Sequence, residues 1–164
     1  IGYDEEGIEC QRKYNLAIIR QGDLWWHDFD YICDCVREAG CRPWIWADYI
    51  WNHTEVFLER MKKDVLMSNW YYGSFPEDYS DPGNGAIHAY SVLAEHGFDQ
   101  IPGGSNWGRP GNLQDTAEYM KKNADNEHLL GFLQTIWYPN CVKYLHRYEG
   151  GLADLKDTRE KWEK

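Results

Sequence analysis

The chain opens on Ile1-Gly2-Tyr3-Asp4-Glu5-Glu6-Gly7, three acids side by side between glycines. On a regular strand Asp4 and Glu5 point to opposite faces, but at a strand end entering a loop both can turn into one site. Adjacent carboxylates in an apolar pocket push their pKa values apart, so one stays protonated as a general acid while the other stays charged. Taken without neighbours, the same triplet reads as a solvated acidic loop. The second chemically suggestive set is aromatic. Four short runs end at or just beyond tryptophan: Trp44-Ile45-Trp46-Ala47-Asp48, Met67-Ser68-Asn69-Trp70-Tyr71, Gly104-Ser105-Asn106-Trp107 and Leu133-Gln134-Thr135-Ile136-Trp137. Indoles gathered at one place make flat apolar walls with an N–H at the edge, a surface suited to a sugar ring or another flat amphipathic ligand.

The elements that would position these residues follow from patterning. Asp23 can cap a helix running to about Glu38, with Trp26, Phe29, Ile32 and Cys33 at helical spacing and Gly40 as its stop. Arg42 to Asp48 is strand-like, and Asn52 or Thr54 caps a short helix carrying Val56, Phe57 and Met61. That preference for a cap is set against the glycosylation sequon Asn52-His53-Thr54. Val65 to Tyr72 is the next strand, followed by a turn-rich loop from Gly73 to Gly85 that is long for a strand-to-helix connection. A helix from about Ala86 to Glu95, a short strand from Phe98 to Pro102, a helix from Leu113 to Asn123 and a strand from Leu129 to Trp137 complete the series. The tail, from about Gly150 to Lys164, reads as a charged amphipathic helix. Trp25, Trp51 and Trp162 fall at helical positions and read as packing residues.

Strand and helix thus alternate at roughly 30 residues per unit, which implies right-handed parallel crossovers and collects the strand ends on one face. A (β/α)8 TIM-type barrel takes about 250 residues, and this chain has 164. The expectation is the C-terminal half of such a barrel domain over residues 1–164, from the end of strand 4 through helix 8. A small open parallel sheet is the alternative. A half-barrel would leave an edge unpaired, so a missing N-terminal half or a second copy of the chain is the expected partner. Ile1 in place of an initiator Met points the same way.

Given Gly2-Tyr3-Asp4-Glu5, Trp46-Ala47-Asp48, Trp70 and Gly131-to-Trp137 in this order, the chain resembles glycoside hydrolase family 20, the β-N-acetylhexosaminidases and their relatives. The family carries Gly-x-Asp-Glu at the end of strand 4, a Trp with an acid two residues on at strand 5, a strand-6 Trp and a Gly-to-Trp segment at strand 8. The resemblance implies hydrolysis of a terminal β-linked N-acetylhexosamine or related sugar with retention. Glu5 would be the general acid/base, and Asp4 would orient the acetamido group whose carbonyl oxygen attacks the anomeric carbon. Trp46, Trp70 and Trp137 would wall the sugar subsite, with Asp48 accepting a hydroxyl hydrogen bond. Tyr71, Asn106 and Trp107, at the neighbouring run ends, complete the substrate-binding candidates. Two positions depart from the family. Its strand-7 Tyr-x-Asp is replaced by Gly103-Gly104-Ser105-Asn106-Trp107, and its strand-8 Trp-x-Glu by Trp137-Tyr138-Pro139. A carbohydrate-binding barrel without activity, or an open α/β domain with incidental acids, are the other readings.

Composition narrows the partners. With 17 basic and 27 acidic residues the formal charge is −10, which argues against nucleic acid and anionic membrane surfaces. No apolar stretch approaches the ~20 residues that span a bilayer. His27, His53 and His88 lack ligand spacing, so neither metal nor cofactor is expected. Gly103-Gly104 with Gly108 and Gly111 is not a dinucleotide fingerprint. Cys33, Cys35 and Cys41 crowd together while Cys10 and Cys141 stand apart. Five cysteines in that arrangement suit reduced thiols, favouring a cytoplasmic setting without fixing it.

Overall fold

The structure, a computed structural model, describes residues 1–7, 20–76, 84–124 and 127–163. Five α-helices alternate with four short strands among these residues: α1 (Asp23–Glu38), β1 (Trp44–Trp46), α2 (Thr54–Arg60), β2 (Leu66–Ser68), α3 (Gly85–Glu95), β3 (Gly103–Ser105), α4 (Asn112–Asn123), β4 (Leu133–Thr135) and α5 (Leu145–Trp162). Single 3-10 turns follow β1 (Asp48–Trp51) and precede α5 (Val142–Tyr144).

α1 forms because Trp25, Trp26, Phe29 and Cys33 fall on one helical stripe, and all four are buried. Its N-cap is Gly22, not Asp23, so Asp23 sits in the first turn, where a negative charge suits the helix dipole. The chain leaves through Gly40 at φ 75°, a left-handed conformation that glycine adopts without a Cβ penalty. α2 and α3 bring Phe57, Ala89, Val92 and Leu93 against the same core, closing over Ile45 and Met67 of β1 and β2. A second, smaller core gathers Ile87 and Tyr90 of α3 with Tyr119 and Met120 of α4.

β1 and β2 pair in parallel, Ile45 opposite Met67, and β3 and β4 pair in parallel, Gly104 opposite Gln134. Isolated parallel bridges, Met67 to Gln100 and Trp70 to Gly103, join the two pairs. Ahead of β1, the Ile1 amino group donates to Trp44 O (2.8 Å) and Trp46 N–H to Gly2 O (3.5 Å), so the first residues run beside β1. The consequence that matters is directional: Asp4-Glu5, Trp46, Trp70, Trp107 and Trp137 all follow strand-like segments running the same way.

The expected (β/α)8 barrel, and with it the span from strand 4 to helix 8, is not what forms. The described strands are two two-stranded parallel sheets, each strand three residues long, linked by single bridges into an open α/β array. A barrel must pair its last strand back onto its first, and among the described residues β4 pairs only with β3. The physical reason for the miss is that a strand–helix repeat dictates parallel neighbours and crossover hand, whereas closure depends on strand number and stagger around the whole ring.

Element limits moved in informative places. The strand expected over Phe98–Pro102 lies at Gly103–Ser105. A Cβ on Gly104 would stand 2.6 Å from Leu113 Cα, so glycine is what lets α4 lie directly on β3. The tail helix starts at Leu145 and runs through Gly150-Gly151. A Cβ on Gly151 would stand 2.8 Å from Ile136 Cδ1, so this glycine serves close packing against the end of β4. Part of the Gly73–Gly85 loop, and Cys10, lie outside the described residues. Among the described residues no helix is long and apolar enough to cross a membrane.

Candidate active site

The acid-bearing segment is held by its flanks. Tyr3 is buried, packing edge-on against Trp25 (5.2 Å) and Phe29 (5.4 Å), and its hydroxyl donates to Asp28 Oδ2 at 3.0 Å. The Arg20 guanidinium lies 4.6 Å over the Tyr3 ring and pairs with both Asp28 and Glu6. Burial, and then the bond to Asp28, push the Tyr3 phenol well above its usual pKa, so it stays a neutral donor. Arg20 and Tyr3 hold Asp28 below the usual carboxylate range. Of the three acids, then, Glu6 is committed to an ion pair, and Asp4 and Glu5 face a cleft.

That cleft, about 400 Å³, is lined by Asp4, Glu5, Trp46, Trp70, Tyr72, Trp107 and Trp137. The volume falls within the roughly 300–1,000 Å³ of small-ligand sites. Trp46 and Trp137 approach from the two ends of the strand series, ring centres 6.2 Å apart at 51°. Trp70 stacks on Tyr72 (4.9 Å, 28°) and takes the edge of Trp51 at 4.7 Å. Trp107 and Trp137 are 56% and 49% exposed, leaving indole surface open to solvent. A second cleft, lined in part by Asn52, Tyr71 and Asn84, shares Trp70, Tyr72 and Trp107 with the first.

Not every residue singled out in the sequence lies in the first cleft. Asp48 is buried behind it, its Oδ2 accepting the Glu5 N–H at 2.7 Å. Burial pushes its carboxyl up to about 6, against the opposing pull of the Glu5 N–H and the Trp70 indole. Asn106 is buried with its Nδ2 donating to Arg147 O (2.7 Å), which ties the end of β3 to α5. Tyr71 packs against Phe75 (5.4 Å) and the α3–α4 core, reaching only the second cleft.

Tyr72 is the lining residue that sequence reasoning passed over. The signal was available: side chains two apart on an extended segment share a side, so Tyr72 accompanies Trp70 while Tyr71 accompanies buried Asn69. The Tyr72 hydroxyl lies 3.2 Å from Thr135 Oγ1, and burial raises its pKa. The Tyr3–Asp28–Arg20–Glu6 clamp was equally hidden, since its members are scattered along the chain.

No protein-family model, curated protein or solved structure matches this chain. The chemistry must be argued from the cleft. It offers two carboxyl groups, indole surface and a phenol. Such a set can protonate a leaving oxygen, orient a polar substituent and stack the apolar face of a ring. Among the described residues no group of three or more His, Cys, Asp or Glu side chains is placed to hold a metal ion. The described cysteines, Cys33, Cys35, Cys41 and Cys141, are free thiols.

Proposed function

We propose that this chain is a glycosidase, hydrolysing a terminal β-linked N-acetylhexosamine or closely related sugar by an acid/base, substrate-assisted route. The observation that carries the reading is one cleft lined by Asp4 and Glu5 together with Trp46, Trp70, Trp107 and Trp137. Glu5 donates its proton to the glycosidic oxygen and then, as carboxylate, takes one from the water that opens the intermediate. Asp4 accepts the acetamido N–H, so that the acetamido carbonyl oxygen attacks the anomeric carbon from within the substrate. The sugar's apolar face stacks on indole, which excludes water from the developing positive charge. Tyr72 supplies the phenol that the Ser105-Asn106-Trp107 segment lacks, as hydrogen-bond donor to the acetamido oxygen. The motif likeness to family 20 supports this assignment of roles. The second cleft, continuous with the first along Trp70, Tyr72 and Trp107, receives the rest of a longer glycan.

A non-catalytic sugar-binding module is the rival reading, and one observation favours it: Asn106, where the resembled family has a substrate-gripping pair, is spent on Arg147. Turnover of 4-nitrophenyl N-acetyl-β-glucosaminide separates the two. Glu5→Gln is expected to cost about 10²–10⁴-fold in kcat/KM while sugar-dependent quenching of Trp fluorescence persists. Turnover unaffected by Glu5→Gln removes the proposed acid. Quenching with no turnover on any aryl glycoside selects the binding module.

A further inference from the structure

We propose that Asp48 is the positioning residue for Glu5: its carboxylate holds the Glu5 backbone N–H and so fixes the turn that delivers the Glu5 side chain to the cleft. The inference rests on the glycosidase reading for its catalytic part, and on geometry alone for the hold itself.

Among the described residues only two non-glycine positions have positive φ, Tyr3 at 73° and Glu5 at 53°, and they flank Asp4. L-residues avoid this region because Cβ crowds the backbone, so such a conformation persists only where neighbours impose it. Tyr3 is imposed by the aromatic packing and the Asp28 bond already described. For Glu5 an imposing contact is Asp48 Oδ2, 2.7 Å from its nitrogen. Asp48 is a firm anchor. It begins the 3-10 turn after β1, between buried Ala47 and Ile50, and is only 7% exposed.

Among the described residues its other oxygen, Oδ1, makes no hydrogen bond. A buried carboxyl left half-satisfied is costly, and its place directly behind a strained turn gives the cost a purpose. The groups bearing on it come from every side. Asp4, from the first loop, opposes its ionisation, and the Glu5 N–H, its own N–H and the Trp70 indole favour it. Asp48 does not line the cleft, so it acts on substrate through Glu5.

The test uses two variants and two readouts. Asp48→Asn keeps an oxygen for the Glu5 N–H; Asp48→Leu, with the same branched skeleton, removes it. With 4-nitrophenyl N-acetyl-β-glucosaminide, Asp48→Leu should lower kcat about 10–100-fold with KM within about twofold, because ring stacking is untouched while the acid is misplaced. Asp48→Asn should recover most of kcat, and the alkaline limb of its kcat/KM profile should move, since a charge near the proton donor Glu5 has gone. The second readout is amide hydrogen exchange at Glu5 by NMR, with protection expected in wild type and Asp48→Asn and lost in Asp48→Leu. Protection or kcat retained in Asp48→Leu overturns the proposal, and so does a KM-only effect, which would make Asp48 a substrate contact. If the wild-type protein turns over no glycoside, the glycosidase reading and the catalytic half of this proposal fail together. The exchange data then still decide whether Asp48 holds the turn.

Discussion

Burying a carboxyl behind the site should leave a signature in the pH dependence of folding. Asp48 has its pKa raised from an ordinary 3.8 to about 6, chiefly by burial. Between those values the folded protein binds the proton and the unfolded chain releases it. Stability from this group is therefore full below pH 3.8 and drains away as pH rises through about 6. The gap between the two values is worth about 3 kcal/mol. Of this, about 2.5 kcal/mol falls between about pH 4 and about pH 7.5. Asp28, Asp64, Asp99 and Glu118 act in the opposite sense, each held low first by a hydrogen bond from Arg20, Arg37, His128 and Lys122 respectively. Their contribution is common to wild type and Asp48→Asn and cancels in the difference. Urea unfolding of both proteins across this range, at fixed ionic strength, should show the variant gaining on wild type by about 2.5 kcal/mol as pH rises. A gap that stays flat to within about 0.5 kcal/mol refutes the argument that a buried, ionising Asp48 sits behind the acid turn.

Gly104→Ala should destabilise the fold by about 1–3 kcal/mol, read as a lowered urea midpoint, because the new methyl would stand 2.6 Å from Leu113 Cα. Trp137→Ala should lower the urea midpoint as well, since about half of the side chain is buried, in part against Trp46. It should weaken sugar binding by on the order of 1 kcal/mol, the worth of roughly 40 Å² of apolar face, about fivefold in Kd by fluorescence titration.

Much of the local architecture was legible because it rests on short-range rules. The stripe Trp25-Trp26-Phe29-Cys33 and the stop at Gly40 place α1 at Asp23–Glu38 without any tertiary information. Strand direction placed Asp4, Glu5, Trp46, Trp70, Trp107 and Trp137 at ends that face one cleft. What stayed hidden depended on contacts between distant segments. Asn106 and Trp107 are neighbours in sequence, yet one is tied to α5 and the other lines the cleft. Asp48 looks from the sequence like a ligand-binding acid because nothing local reveals that it lies beneath Glu5. That Gly151 serves close packing shows only when Ile136 is seen against it. The closed barrel was over-read for a related reason: each strand–helix unit reports only its immediate neighbours, and no residue reports closure.

The meeting of Trp46 and Trp137 carries a consequence for how the protein acquires its site. Trp46 ends the first of the four strands and Trp137 lies two residues beyond the last, and their rings approach to 6.2 Å. No single strand–helix unit holds a partial cleft that the others improve. Helices can form early from local contacts, but the aromatic enclosure closes only when the most distant pairings are in place, and such pairings form slowly. Coupling between these two rings in near-ultraviolet circular dichroism is therefore expected only on completion of the chain's longest-range step, and a ligand that bridges them draws its affinity from the stability of the whole array.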